Sequence, residues 1–286
     1  MSADRFVDVF GSRIRYRVEG SGPPIVLIHG VGASLEFWTW TISALRERHT
    51  TIAFDYPGFG GSDPRDSAYT PNGAAETVLA FLDNAGIKTP VLVGSSLGGA
   101  IATLAAGTVP ERIRALVLVA PGGFGNDVNL LMRLQTVPLI GEGLLALARL
   151  DPRLAVRDLF AEQRRIPPQV LEIIKTNAAR PSHEETYLKV LRLVAGLGGI
   201  RPAMVAEVHR AAARVAAPSL IIWGDRDRII PPDQAAVAAR LIRGARVHMI
   251  KGAGHLPYVE MPDDFNTALW AFLTPYTRAA EARVGH

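Results

Sequence analysis

The run Val91-Leu92-Val93-Gly94-Ser95-Ser96-Leu97-Gly98-Gly99-Ala100 constrains the chain more than any other, because an apolar segment is driven straight into a serine framed by glycines. Val91 to Val93 reads as a buried strand and Leu97 to Thr108 as the helix after it, so Ser96 falls on a very short turn between the two. A strand that turns at once into a helix forces the residue at the bend into a sparsely populated backbone region. The residues two before and two after are expected to pass too close together to carry side chains, and Gly94 and Gly98 occupy those places. The bend presents the Ser96 hydroxyl at the carboxyl end of the strand, while the N–H of Leu97, at the helix start, is expected to face any oxygen anion formed nearby. One turn would supply a nucleophile and half of an oxyanion hole.

Such a turn needs a sheet to hold it. With 286 residues, 48% hydrophobic and 20% charged, the chain has material for a large core, and one soluble globular unit with an inserted subdomain is expected. The formal charge is +4, but the arginines are interspersed with acids and form no block, which argues against nucleic acid as a partner. The absence of cysteine excludes disulfides, thiolate zinc sites and a cysteine nucleophile, and no metal motif or cofactor requirement is read. The start Met1-Ser2-Ala3-Asp4-Arg5 lacks the apolar core of a signal peptide. No apolar stretch approaches the roughly twenty residues needed to cross a bilayer, so a cytoplasmic protein without stable membrane insertion is expected. Oligomeric state leaves no mark in the sequence.

Along the chain, Phe6–Phe10 and Arg13–Val18 alternate apolar and polar around Gly11-Ser12, which predicts a hairpin wet on one face. Ile25–Ile28 is a short continuous apolar run of the kind buried on both faces in a parallel sheet, and it ends in His29-Gly30-Val31-Gly32. Strand and helix then alternate: a helix from Leu35 to Arg48, a strand Thr51–Phe54, a helix Asn72–Ala85, the strand before Ser96, its helix, and a strand Ile113–Val119. Repeated strand-helix units with buried strands define the α/β class, a mostly parallel sheet covered on both faces. After Ala120-Pro121-Gly122-Gly123 strand signals stop until about Ala217. Helical segments take over at Leu139–Arg149, Pro168–Asn177 and Glu184–Val194, punctuated by Pro152, Pro167, Pro168, Pro181 and Pro202. The reading is an all-helical insertion after the sixth strand, with residues 1–121 and 218–286 as the core domain and 122–217 as the inserted one. The sheet resumes with Ser219–Trp223, a helix Pro232–Arg243, the strand Ala245–Ile250 and a last helix Asp263–Leu273, for eight strands in all. The tail from Arg278 to His286 is polar and expected to fray.

A serine hydroxyl is a poor nucleophile at neutral pH; it needs a base within reach and a carboxylate to orient that base. Among seven histidines, His255 in Lys251-Gly252-Ala253-Gly254-His255 follows the final strand. Loops at the carboxyl ends of parallel strands converge where open α/β sheets hold their sites. The loop Gly224-Asp225-Arg226-Asp227 follows the penultimate strand and offers two aspartates, between which strand exit alone does not choose. The stretch Gly58-Phe59-Gly60-Gly61-Ser62 is no dinucleotide fingerprint, since position 63 is Asp63 and no helix opens there directly.

With these residues the chain resembles the α/β-hydrolase fold family over essentially its whole length, from His29-Gly30 through Asp55-Tyr56-Pro57-Gly58-Phe59-Gly60 and Gly94-Ser95-Ser96-Leu97-Gly98 to Gly224-Asp225-Arg226-Asp227 and Gly254-His255. The order Ser, Asp, His is also the family's. In the family's Gly-x-x-Asp pattern the acid is the fourth residue, so the resemblance selects Asp227 over Asp225. It also implies that Val31, after the His-Gly pair, lends the second oxyanion N–H beside Leu97, and that the insertion is a lid. Gly30, Ser95, Phe124 and Leu256 are candidate substrate contacts.

The first part of the insertion is strongly apolar, from Phe124 through Leu130, Leu131 and Met132 to Leu147. A small-molecule carboxylic ester of apolar character is therefore the expected substrate, and Leu139–Leu150 is a candidate helix for a lipid surface. Carbon–carbon bond hydrolases of ring-cleavage products share the fold. They resemble Gly-Asn-Ser at the nucleophile and carry tryptophan after the histidine, where this chain has Gly94-Ser95-Ser96 and His255-Leu256. Arg164 or Arg165 would be the grip for a dienoate carboxylate. Haloalkane dehalogenases and epoxide hydrolases need Asp at position 96. A binding protein on a retired scaffold is the reading from another class, set against three filled positions.

Overall fold

The computed structural model describes residues 2–180 and 182–281, with the side chains of 277–281 outside the description. The expected hairpin is β1 (Arg5–Val9) with β2 (Ser12–Glu19), followed by β3 (Pro24–Ile28). A single 3₁₀ turn, Leu35–Trp38, and α1 (Thr39–Leu45) stand where one continuous helix was expected. Then come β4 (Thr50–Phe54), α2 (Pro71–Asn84), β5 (Val91–Ser95), α3 (Leu97–Thr108) and β6 (Ala115–Val119).

Between residues 120 and 218 lie α4 (Leu130–Gln135), α5 (Ile140–Leu150), α6 (Arg153–Val156), α7 (Pro168–Ala178) and α8 (His183–Val194). They are followed by a small ribbon of β7 (Ala195–Gly196) and β8 (Gly199–Ile200), and then by α9 (Pro202–Ala212). The ribbon corrects the all-helical expectation: strands of two residues are too short to show a period in sequence. Pro202, read as punctuation, instead occupies the first position of α9, where its missing N–H has no partner to lose. Pro181 lies outside the described residues.

The sheet resumes with β9 (Ser219–Gly224), α10 (Gln234–Leu241) and β10 (Arg246–Ile250), and the chain closes with α11 (Pro257–Glu260) and α12 (Pro262–Glu281). The final helix runs well past Leu273, and the end of the expected tail, 282–286, is outside the described residues. The eight strands are ordered β1-β2-β4-β3-β5-β6-β9-β10, antiparallel from β1 to β4 and parallel from there on.

Strand alternation divides the interior in two. Val26 and Ile28 of β3, Leu92 of β5 and Leu116 and Leu118 of β6 face one core, shared with α2, α3, α9 and α10. Their neighbours Ile25, Leu27, Val91, Val93, Val117 and Val119 face the other, shared with α1, α11 and α12. Both faces being covered is the reason these strands are continuously apolar. α3 is buried from Gly98 to Gly107. Its small residues let neighbouring backbone approach, to the point that a Cβ on Gly107 would stand 2.4 Å from the Ala211 carbonyl of α9.

Candidate active site

Ser96 sits at the carboxyl end of β5 with φ 54° and ψ −119°, the strained bend expected from the sequence. Its N–H donates to Val119 O at 2.9 Å, and its carbonyl accepts from Gly122 N at 3.0 Å, so the bend is locked to the end of β6. The two glycines have different neighbours. A Cβ on Gly94 would stand 2.2 Å from Gly98 O, as expected, but one on Gly98 would strike Ile28 O at 2.3 Å and His29 O at 2.5 Å. The second glycine is demanded by the end of β3 and not by Gly94.

The end of β3 leads into Gly30–Ser34. Leu35 N donates to Asp55 Oδ1 at 2.8 Å, Gly61 N donates to Asp55 Oδ2 at 2.7 Å, and Arg15 pairs with the same fully buried carboxylate. Burial, with the Arg15 charge adding to it and the Asp55 carboxylate opposing, pushes the His29 ring toward its neutral form. Its Nε2 accepts from Tyr56 N at 2.9 Å, which leaves Nδ1 to donate to Gly30 O at 2.7 Å. Both ring nitrogens are thus committed to holding the loop. Among the described residues the N–H groups of Val31 and Leu97 make no hydrogen bond.

Asp227 follows β9 and is held by four donors. Oδ1 accepts from Ile229 N at 2.8 Å and Ile230 N at 3.1 Å; Oδ2 accepts from Trp223 Nε1 at 2.9 Å and His255 Nδ1 at 2.7 Å. Asp225 instead accepts from Gly252 N at 2.6 Å and faces solvent. The loop that strand exit left ambiguous therefore places Asp227 on the imidazole.

His255 follows β10. Its N–H donates to Leu159 O at 2.9 Å, and the buried Glu260 carboxylate accepts from Gly254 N at 2.6 Å and from Ala161 N and Glu162 N, both at 3.1 Å. The His255 loop and residues 159–162 are tied together by these bonds. Sequence reasoning missed Trp223 and Glu260, because each acts through one hydrogen-bonding group whose partners are set only by the fold.

Ser96 and His255 line one cavity of about 370 Å³, with Gly30, Val31, Leu256, Tyr258 and apolar side chains of α4 and α5. No direct Ser96–His255 hydrogen bond is made among the described residues; in unliganded sites such bonds are commonly long and tighten with substrate. Two candidate contacts do not reach the cavity. Phe124 is 1% exposed and belongs to the core shared with α3 and α9, with its carbonyl 3.3 Å from His209 Nε2. Ser95 is fully buried behind the nucleophile, because consecutive residues of a strand face opposite ways. Arg164 and Arg165 are also outside the lining and bond Glu162, the latter reaching Gly252 O as well. Among the described residues no group of His, Asp or Glu is arranged to hold a metal.

The fold and the site define a class, and the comparisons agree with it. Residues 23–262 match the model of the alpha/beta hydrolase fold family. The chain is 32% identical over 270 residues to the dihydrolipoyllysine-residue acetyltransferase component of the acetoin cleaving system of Cupriavidus necator, across 94% of this chain and 68% of that one. It is 29% identical over 284 residues to a 2-hydroxymuconate semialdehyde hydrolase of a Pseudomonas species, across 94% and 93%. A crystal structure of a serine hydrolase involved in carbazole degradation superposes with a TM-score of 0.78 at 26% identity, covering 95% of this chain and 98% of that one. The chain belongs to the alpha/beta hydrolase fold family. No described helix is long and apolar enough to cross a membrane.

Proposed function

We propose that the protein is a serine hydrolase that cleaves small carboxylic esters of apolar character through an acyl-enzyme on Ser96. His255 removes the hydroxyl proton as Ser96 attacks the ester carbonyl, and Asp227 fixes the imidazole and stabilises its cation. The N–H groups of Val31 and Leu97 receive the charge of the tetrahedral intermediate, each such donor contributing on the order of 3 kcal/mol. His255 then returns the proton to the departing alcohol, and water repeats the sequence to release the acid. Residues 122–217 serve as the lid, since their side chains furnish most of the apolar wall.

The observation that carries the reading is a buried Asp227–His255 pair opening on the same apolar cavity as a strained, outward-facing serine. An uncharged substrate is favoured because each arginine lining the cavity is paired with an acid that also lines it, Arg149 with Glu184 and Arg157 with Asp158 at 3.5 Å. Nitrophenyl ester hydrolysis and fluorophosphonate labelling should both vanish in Ser96→Ala. Hydrolysis persisting near the wild-type rate would remove the assignment, and a wild type that neither hydrolyses nor labels would leave a binding protein on this scaffold.

The second reading, carbon–carbon bond hydrolysis of a ring-cleavage dienoate, is favoured by the similarity to the 2-hydroxymuconate semialdehyde hydrolase over nearly its full length. A yellow dienoate bleached faster than any nitrophenyl ester is cleaved would establish it in place of the first.

A further inference from the structure

One group in the cavity wall is left unused by the chemistry above. His183, at the first position of α8, is only 8% exposed and lines the same cavity as Ser96. Its ring stands edge-on to Phe59, centroids 5.9 Å apart. Among the described residues neither ring nitrogen makes a hydrogen bond, and Nδ1 is sealed from solvent, whereas Nε2 is not. Burial pushes the ring down to about 4, with His29 and Arg180 adding to the effect and Glu184 opposing it, so the imidazole is neutral near pH 7. A neutral ring holds one N–H and one lone pair. Orphaned buried N–H groups are rarer than under-satisfied acceptors, which puts the lone pair on sealed Nδ1 and the proton on Nε2. His183 therefore offers one unspent, uncharged donor in a mostly apolar chamber.

Its surroundings define what that donor can take. Tyr187, one turn further along α8, donates to Gln135 Oε1 at 2.8 Å, and both side chains line the cavity. That bond fixes the Gln135 amide with its oxygen committed. The arginines of the wall are matched by Glu184 and Asp158. A carboxylate would find no unpaired arginine or lysine among the described residues of the wall, and a pure hydrocarbon arm would leave the imidazole N–H unsatisfied in the closed complex.

We infer that the cavity is built for a substrate whose arm, remote from the scissile carbonyl, carries an uncharged oxygen acceptor such as an ether, ketone or hydroxyl, which takes the hydrogen bond of His183 Nε2. The inference rests on the ester-hydrolase reading for the reaction and on the wall of the cavity alone for the recognition.

The test uses an alkyl ester and two series of isosteres, an ether oxygen replacing successive methylenes of the acyl arm in one and of the alcohol arm in the other. Hydrolysis is followed by acid release, and binding by calorimetry on the uncleaving Ser96→Ala protein. At one oxygen position the wild type should show a KM roughly five- to tenfold below the hydrocarbon parent, the worth of one neutral hydrogen bond. His183→Phe should bring that ratio to about one, and His183→Gln, which keeps an N–H, should restore part of it. An ester with a terminal carboxylate should bind worse than either.

The inference is overturned if no oxygen position improves on the parent, if the preference survives His183→Phe, or if the carboxylate arm binds best. If the wild type cleaves nothing while Ser96→Ala still prefers the oxygenated arm by calorimetry, the subsite stands and the hydrolase reading falls. Cleavage without preference has the opposite meaning.

Discussion

Trp223 and Asp227 show how much of this site rests on single atoms. The indole N–H and the imidazole N–H share one carboxylate oxygen, so the acid cannot rotate without breaking both. Trp223→Phe retains the ring volume and removes one donor; kcat should fall by roughly tenfold with little change in KM, because the loss is in aim and not in substrate contact. An unchanged kcat would show that the three remaining donors suffice. His183 gives a second prediction at this scale. The unfolded chain binds its proton near the ordinary value of 6.5, the folded one only near 4, so between those values the unfolded state holds more protons. Stability is complete above pH 6.5 and declines as pH falls toward 4. The buried rings of His29 and His49, also shifted downward, add to the same slope. His183→Gln should lose fewer degrees of Tm than the wild type between pH 7 and 4.5; parallel losses would mean that His183 titrates normally. Ser96 and Gly94 were readable from the sterics of one local bend and His255 from its place after the last strand, whereas the contact that demands Gly98 comes from the distant end of β3. Phe124 and Ser95 were misread as contacts, since sequence adjacency to a site does not say which way a side chain faces.

Among the elements, the central strands of the sheet were legible, for burial on both faces writes a continuous apolar run, and the edge hairpin was legible by its alternation. The short helices were not. α4, α6 and α11 span only six, four and four residues, less than the two turns in which a helical period can be seen. α5 was legible as a helix while its environment was not. It buries only Gly141, lines the cavity with Leu144, Leu145 and Ala148, and leaves Leu147 and Leu150 exposed, the latter 83%. Surface pairs, Arg149 with Glu184 and Arg192 with Glu142, fasten it to α8, and exposed pairs of this kind contribute little. Hydrogen exchange should therefore run fastest in α5 and slowest in α3, which is buried along most of its length. Equal protection of the two would contradict the packing described.

At the scale of the molecule, residues far apart in sequence are brought to one rim by strand order: β3 and β5 are adjacent, as are β9 and β10, and their carboxyl ends carry Gly30, Ser96, Asp227 and His255. Glu260 extends this assembly into the insertion. Glu260→Gln keeps the shape but replaces one accepting oxygen by an amide NH₂, which opposes at least one of the three backbone N–H donors. It should cost about 1–3 kcal/mol of stability and lower kcat more than it raises KM, as measured by thermal unfolding and steady-state kinetics. A variant with wild-type stability would show that water takes over the bonds. The same stitching assigns the doorway. Lifting residues 159–162 would break the two contacts from Ala161 and Glu162 to Glu260 and those from His255 and Leu256 to Leu159, disarming the base at the moment a guest arrived. Passage is left to the opposite wall, α5, which turns Leu150 to solvent and is latched to α8 by surface charge pairs.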